Sequence, residues 1–265
     1  MCRQYGQDSE TAMEKEEILL KKRIQDLART AYQRDYVTFS DFLDLNEQNI
    51  VHSLKPEELG ASVRFFGGYE GAERQIAAFL PDALSYEADI PYPLACLRIE
   101  PLSRKFSEPL THRDYLGALV HLGIERAMLG DILVRQQEAY VFCHSRMREF
   151  LEENVTRIRH TSVIAQQITQ AEDLPRPQFQ SIRGTVASVR LDSVIALAFS
   201  SSRSSMLGLI EGGKVFVNGR MTVSNGHPLK NGDVVSVRGY GKFRFEEALG
   251  TTKKGRCSIL ISRYV

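Results

Sequence analysis

Ile210–Val223 reads IEGGKVFVNGRMTV, and this short span sets the architecture of the C-terminal part of the chain. Gly212-Gly213 offers backbone with no Cβ to resist the left-handed conformation that stops a helix, so Ser204–Glu211 is predicted to be helical and to end there. Beyond the glycines, two short strand-like runs, Lys214–Val217 and Arg220–Val223, flank Asn218-Gly219. Asn and Gly both tolerate positive φ, which a tight two-residue turn requires, so the dipeptide marks a β-hairpin.

Working outward, Val189–Phe199 reads as a helix upstream, and the turn signal Asn231-Gly232-Asp233 leads downstream into a strand at Val234–Arg238. Two helices followed by a small twisted sheet are therefore expected over 183–247, with a C-terminal strand and tail over 248–265. Pro175 and Pro177 mark the linker in front of this module.

Charge singles out the same region. The chain of 265 residues has a formal net charge of only +1, yet residues 183–245 carry 9 Lys/Arg against 3 Asp/Glu while residues 1–89 carry 10 against 17. A balanced total conceals an acidic front and a basic back, and a compact basic segment suits a phosphate-rich partner. The cations fall at element ends: Arg190 opens the first helix, Arg203 lies between the helices, and Lys214 and Arg220 flank the hairpin. Ser202 and Ser204 bracket Arg203, setting hydroxyls and the opening amides of the second helix beside a guanidinium, a combination that can hold a phosphate. Ser204 is also the expected cap of that helix. Tyr240–Phe245 alternates cations with aromatics, so Lys242 and Arg244 are further candidates; the run equally fits a strand with one buried face.

Further upstream the rhythm changes. Strands are predicted at Leu94–Ile99, Ala127–Val134, Ala139–His144 and Ser162–Ile168, with helices at Arg113–Leu122 and Arg146–Arg157. The order β-α-β-β-α-β over 90–175 is that of a ferredoxin-like domain, in which two helices cover one face of a four-stranded antiparallel sheet. The open face of such a sheet is a frequent RNA platform, but the aromatic signature of RNA-recognition domains is missing. Residues 1–85 read as a mostly helical domain: a tail over 1–12, a helix from Glu14 to about Tyr32, a second from Ser40, a short strand at Val63–Phe66 and a helix at Glu70–Leu80 stopped by Pro81. The fold class expected is α+β.

Several spaced motifs carry a resemblance. Arg190-Leu191-Asp192, Ser202-Arg203-Ser204, Ile210–Val215, Val217–Arg220 and Asn231–Val237 resemble the S-four domain, an RNA-binding module first described in a small-subunit ribosomal protein. Phe65–Tyr69 with Ala72–Arg74, His112–Leu119, Leu122–Arg126 and Gly130–Ile132 extend the likeness to the bacterial YlmH family, which carries a C-terminal S-four domain. The resemblance implies an αL-type fold that docks on ribosomal or transfer RNA through the helix ends and the hairpin, which adds Asn218 to the RNA-binding candidates. It also implies association with the large ribosomal subunit, a role in rescuing obstructed subunits, and a link to cell division through a protein partner.

Other classes are weakened by the residues themselves. His112-Arg113-Asp114 matches the kinase catalytic triplet, but Leu119 stands where that motif needs Asn, and neither a glycine-rich phosphate loop nor Asp-Phe-Gly is present. The triplet reads instead as a helix start, with His112 and Arg113 as a secondary RNA contact. Arg190-Leu191-Asp192 matches the aspartate motif of pseudouridine synthases, yet Ser193-Val194-Ile195 follows where Thr-x-Gly-Leu belongs. Cys143 beside His144 would point to opposite faces of a strand. The four cysteines form no metal-ligand cluster. No catalytic residue, metal, cofactor or small-molecule substrate is therefore expected, no membrane span either, and the chain should be cytoplasmic. An RNA-modifying enzyme centred on the middle domain and a cell-division adaptor using the acidic N-terminal helices are the competing readings.

Overall fold

The computed structural model describes residues 4–55, 59–169 and 179–264. The chain divides into two compact units, Met1–Arg176 and Pro177–Val265. The expected linker around Pro175 and Pro177 lies outside the described residues.

In the first unit α1 (Gln4–Arg34) runs for 31 residues, so the helix already covers most of the span expected as a tail. Ile24, Ala28 and Ala31 are fully buried, one stripe at helical spacing that docks α1 on the sheet below. The helix expected from Ser40 is instead strand β1 (Thr38–Leu43). Ser40 is buried there, its Oγ accepting from the Ala77 amide at 2.9 Å, and Asp44 is the residue that caps a helix. Helix α2 (Leu45–Ser53) starts with a reciprocal box in which Asp44 accepts from the Glu47 amide at 2.9 Å and Glu47 accepts from the Asp44 amide at 2.7 Å. Burial outweighs these bonds and pushes the Glu47 carboxyl above its usual range.

Strand β2 (Ser62–Phe66) is where expected, but Glu70–Leu80 is not a helix: its second half is β3 (Gln75–Leu80), the centre of an antiparallel sheet ordered β1-β3-β2. Ile76 to Leu80 are all 0% exposed, so β3 is apolar on both faces and has lost the alternation that separates a strand from a helix.

The remainder of this unit follows the predicted order: β4 (Leu94–Pro101), α3 (His112–His121), β5 (Leu129–Arg135), β6 (Glu138–His144), α4 (Arg148–Asn154), β7 (Arg157–Ile158) and β8 (Thr161–Ile168). The sheet order is β5-β6-β4-β8-β7 with antiparallel neighbours throughout, the split β-α-β arrangement plus one short edge strand. Leu97, Ile99, Val141 and Val163 turn to one face and pack with Tyr115 and Leu119 of α3 and Leu151 of α4. The other face is not open along its whole length. Cys96, Tyr140 and Phe142 pack there against Phe42 and Ile76, which come from β1 and β3.

Gly130-Asp131 lies inside β5 at a break in its register between Leu129 and Ile132. An added Cβ at Gly130 would stand 2.7 Å from the Phe42 ring and 2.9 Å from Cβ of Phe142, so only glycine lets the layers approach. Asp131 accepts from the Tyr69 hydroxyl at 2.7 Å and from the amides of Glu73 and Arg74 at 2.8 and 3.1 Å. Arg74 in turn donates to the carbonyls of Leu129 and Phe42 at 2.9 and 3.0 Å. Burial lowers the pKa of Arg74, and that of Arg126 beside it to about 10. The YlmH-like residues of this region therefore form the joint between β1–β3 and the larger sheet.

The second unit is a six-stranded antiparallel sheet ordered β11-β10-β12-β13-β14-β9, made of β9 (Phe179–Val186), β10 (Val215–Val217), β11 (Arg220–Met221), β12 (Val234–Val237), β13 (Gly241–Thr251) and β14 (Cys257–Tyr264). Helices α5 (Leu191–Ala198) and α6 (Arg203–Glu211) pack on one face against Val215, Val235, Phe243, Phe245, Ile259 and Ile261. Their approach is close: a Cβ at Gly184 of β9 would fall 2.5 Å from a Leu197 methyl. What was expected as a C-terminal strand and tail is a long hairpin, β13–β14, whose second strand also pairs with β9 along its length. Asn218 and Gly219 have φ of 49° and 76°, the doubly positive turn that the dipeptide predicts.

Candidate nucleic-acid interface

The two helices of the second unit present their N-termini with an arginine each. Arg190 is the N-cap residue of α5 and Arg203 the first residue of α6, whose N-cap is Ser202. Ser202, not Ser204, supplies the cap: its Oγ accepts from the Ser205 amide at 3.2 Å and sits 3.1 Å from the Ser204 hydroxyl. With that amide taken, the Arg203 and Ser204 amides are the remaining first-turn donors of α6. At α5 the first amides are spent internally, Leu191 donating to the His227 carbonyl at 2.9 Å and Asp192 to that of Asn225 at 3.3 Å.

Arg190 and Arg203 converge on a single carboxylate. Asp192 is 2% exposed, accepts from Arg203 Nη2, and lies 3.5 Å from Arg190 Nε, while the two arginine side chains stay 47% and 55% exposed. Burial would raise the Asp192 carboxyl, but the hydrogen bond and charge of Arg203, the Ser193 backbone and the charge of Arg190 outweigh it and hold the group below its usual range. The Arg190 guanidinium lies over Gly226, where an added Cβ would come within 3.4 Å of it.

All three acidic residues between 183 and 245 are engaged internally. Asp192 holds the arginines, Glu211 accepts from the Asn225 side chain at 2.9 Å, and Asp233 accepts from the Asn218 side chain at 2.9 Å and the Lys230 amide at 2.7 Å. Of the three, only Asp192 is buried and compensated by cations, whereas Glu211 is exposed and keeps its charge beside Asn225. Lys214 and Arg220 are exposed at the two ends of the β10–turn–β11 arm. Asn218 in the turn is bound into the fold, its Oδ1 accepting from the Val234 amide at 2.9 Å.

Lys242 and Arg244 do not join the helix-end group. Phe243 and Phe245 are 0% and 1% exposed and face the helices, so strand alternation turns Lys242 and Arg244 to the opposite face of the sheet. Phe243 and Phe245 are core and cannot stack on bases, whereas Tyr240 is 47% exposed. Other rings accompany the cations: Lys242 Nζ lies 4.5 Å from the Tyr264 ring centre and Arg244 5.6 Å from that of Phe179, with the two rings 4.9 Å apart. His112 and Arg113 belong to the first unit and are exposed at the start of α3. Asp114 behind them accepts from the Thr111 amide and hydroxyl at 2.8 and 2.7 Å, which together hold its carboxyl low.

Sequence reasoning missed the bracketing role of Asp192, set aside as part of a catalytic look-alike, and the Asn225–Pro228 loop beneath Arg190. A further Asn-Gly pair, Asn225-Gly226, was the available signal for that loop. Cys143 is fully buried and its thiol is pushed up to about 12 by burial, which removes it as a nucleophile. Among the described residues no group of three or more potential metal ligands occurs, and no single helix is long and apolar enough to cross a membrane.

Two helices packed on an antiparallel sheet, with a positive-φ hairpin beside them, are the arrangement expected of an RNA-binding module of the S-four class. The S4 domain family matches residues 189–235, and the YlmH RNA-binding domain family matches residues 91–172. The two matches set a YlmH-type RNA-binding domain ahead of an S4 domain in the C-terminal region. It is 26% identical over 236 residues, 89% of this chain and 90% of the relative, to Ribosome-associated protein quality control protein P2 of Bacillus subtilis (strain 168). A solved structure, Cell division protein ylmH from Streptococcus pneumoniae, overlaps 63% of this chain and 95% of its own at 15% identity and a TM-score of 0.47.

Proposed function

We propose that this chain is a non-catalytic, cytoplasmic factor that binds structured RNA of the ribosome or tRNA and acts in rescue of stalled large subunits. The observation that carries the reading is the joint presentation of Arg190 and Arg203 at two helix N-termini, beside the Ser202 and Ser204 hydroxyls and with Asp192 buried beneath them. The relative named for ribosome-associated quality control, aligned along nine-tenths of both chains, supports the ribosomal setting. Phosphate neutralisation supplies the affinity, and the hairpin arm with Lys214 and Arg220 extends the contact. Lys242 and Arg244 form a second basic face with Phe179 and Tyr264, and His112 and Arg113 give the first unit a secondary contact.

The pseudouridine-synthase alternative requires Asp192 to stand open to a nucleotide. Here that carboxylate is 2% exposed and committed to two guanidiniums.

The test is binding of the full chain to large-subunit ribosomal RNA and to bulk tRNA across a potassium series. If Arg190, Arg203, Lys214 and Arg220 each meet one phosphate, these four contribute about −3 to −4 to the slope of log affinity against log salt. A flat response would reject the reading. Sedimentation with ribosomal subunits separates the large-subunit role from general RNA binding, and mass analysis of RNA from cells with and without the protein checks that no base is modified.

A further inference from the structure

Two guanidiniums placed at two helix N-termini repel each other and the positive ends of both helices. Such an arrangement needs a counter-charge, and the fold places one beneath them. Asp192, in the first turn of α5, is all but excluded from solvent, and both arginines reach it while half of each side chain remains exposed. The carboxylate itself is held from several sides: its own amide is bonded to the Asn225 carbonyl and the Ser193 hydroxyl donates to it at 3.3 Å. A guanidinium has five N–H donors in a planar fork. One edge spent on a fixed carboxylate leaves other donors directed outward, with the side-chain torsions already ordered.

Building on the RNA-binding reading above, we infer that Asp192 is a positioning residue for phosphate recognition: it fixes Arg190 and Arg203 side by side so that RNA phosphate oxygens meet preordered donors. The partner chemistry is a phosphodiester oxygen anion, and Asp192 acts only through the arginines. This makes a prediction opposite in sign to simple charge counting. Removing a negative charge from a polyanion-binding surface should tighten binding if charge alone matters. If preordering matters, removing it should weaken binding, because each long side chain must then be immobilised on association.

The experiment measures binding of the full chain to large-subunit ribosomal RNA by filter retention at fixed potassium, comparing wild type with Asp192→Asn, an isosteric neutral replacement. The expected result is a loss of about tenfold in affinity without loss of the folded state by circular dichroism. Unchanged or tighter binding would overturn the inference. In an Arg190→Gln/Arg203→Gln background, Asp192→Asn should cause no further loss, and a continued loss there would show that Asp192 acts by another route. If Asp192→Asn does not fold, Asp192→Glu keeps the charge but shifts the carboxylate by one methylene. Positioning then predicts weaker binding at unchanged net charge, and equal binding overturns it. The two readings fail separately: wild type that retains no RNA at low salt defeats RNA binding itself, whereas wild type that binds beside an equally tight Asp192→Asn defeats only the positioning role.

Discussion

The hydroxyl of Tyr69 donates to the carboxylate of Asp131 at 2.7 Å, tying the turn after β2 to the bulged start of β5. The same carboxylate takes the amides of Glu73 and Arg74, so one side chain organises the loop that carries the half-buried arginine joint. Asp131→Ala should therefore destabilise the first unit by about 3 kcal/mol, since buried donors lose a charged acceptor. Tyr69→Phe, which removes one bond, should cost about 1 kcal/mol. Thermal or urea unfolding of both variants checks the ranking, and equal stabilities would show that the joint is held by packing alone.

Arg203→Gln should lower affinity for structured RNA about tenfold, the scale of one charge-assisted phosphate contact. Charge reversal is a less clean probe here, because Arg203→Glu places a second carboxylate against buried Asp192. That variant is expected to lose more affinity and also to unfold at lower temperature. Melting curves recorded beside the binding assay separate the two effects.

Asn218 supports the hairpin by two side-chain bonds, to Asp233 and to the Val234 amide, from a backbone with φ of 49°. Asn218→Ala should cost about 1–2 kcal/mol in stability of the second unit. Affinity measured per folded molecule should change little if the side chain serves only the turn. A large loss of affinity with unchanged stability would instead assign Asn218 a direct RNA contact.

Asp192 also predicts an acid limb in stability. Its folded pKa lies below the ordinary value of 3.8, so the unfolded chain takes up the proton first as pH falls. The stabilisation is fully present above that ordinary value and is lost as pH drops below it through the depressed folded pKa. The difference in unfolding free energy between wild type and Asp192→Asn should thus be constant from neutral pH down to about 4 and shrink below it. A difference that grows on acidification would contradict the depressed pKa.

Much of the second unit was legible before any coordinates. Glycine pairs, Asn-Gly turns and apolar spacing act within a few residues of one another, so α5, α6 and the β10–β11 hairpin could be read locally, as could the strand and helix order of the ferredoxin-like part. The front of the chain was harder. Gln75–Leu80 is buried on both faces, which erases periodicity, and Ser40 looks like a cap until Ala77 is found donating to it from a neighbouring strand.

The amino-acid order by itself determined the sign of the charge, the order of elements in the ferredoxin-like part and the turn geometry, because these depend on side chains and backbone preferences close together along the chain. Only the tertiary structure decided which cations share a surface. Arg190 and Arg203 meet because Asp192 is buried between two helix ends, whereas Lys242 and Arg244 turn the other way because Phe243 and Phe245 fill the core. Their aromatic companions, Phe179 and Tyr264, arrive from opposite ends of the unit through strand pairing, a contact between distant residues that no local pattern encodes.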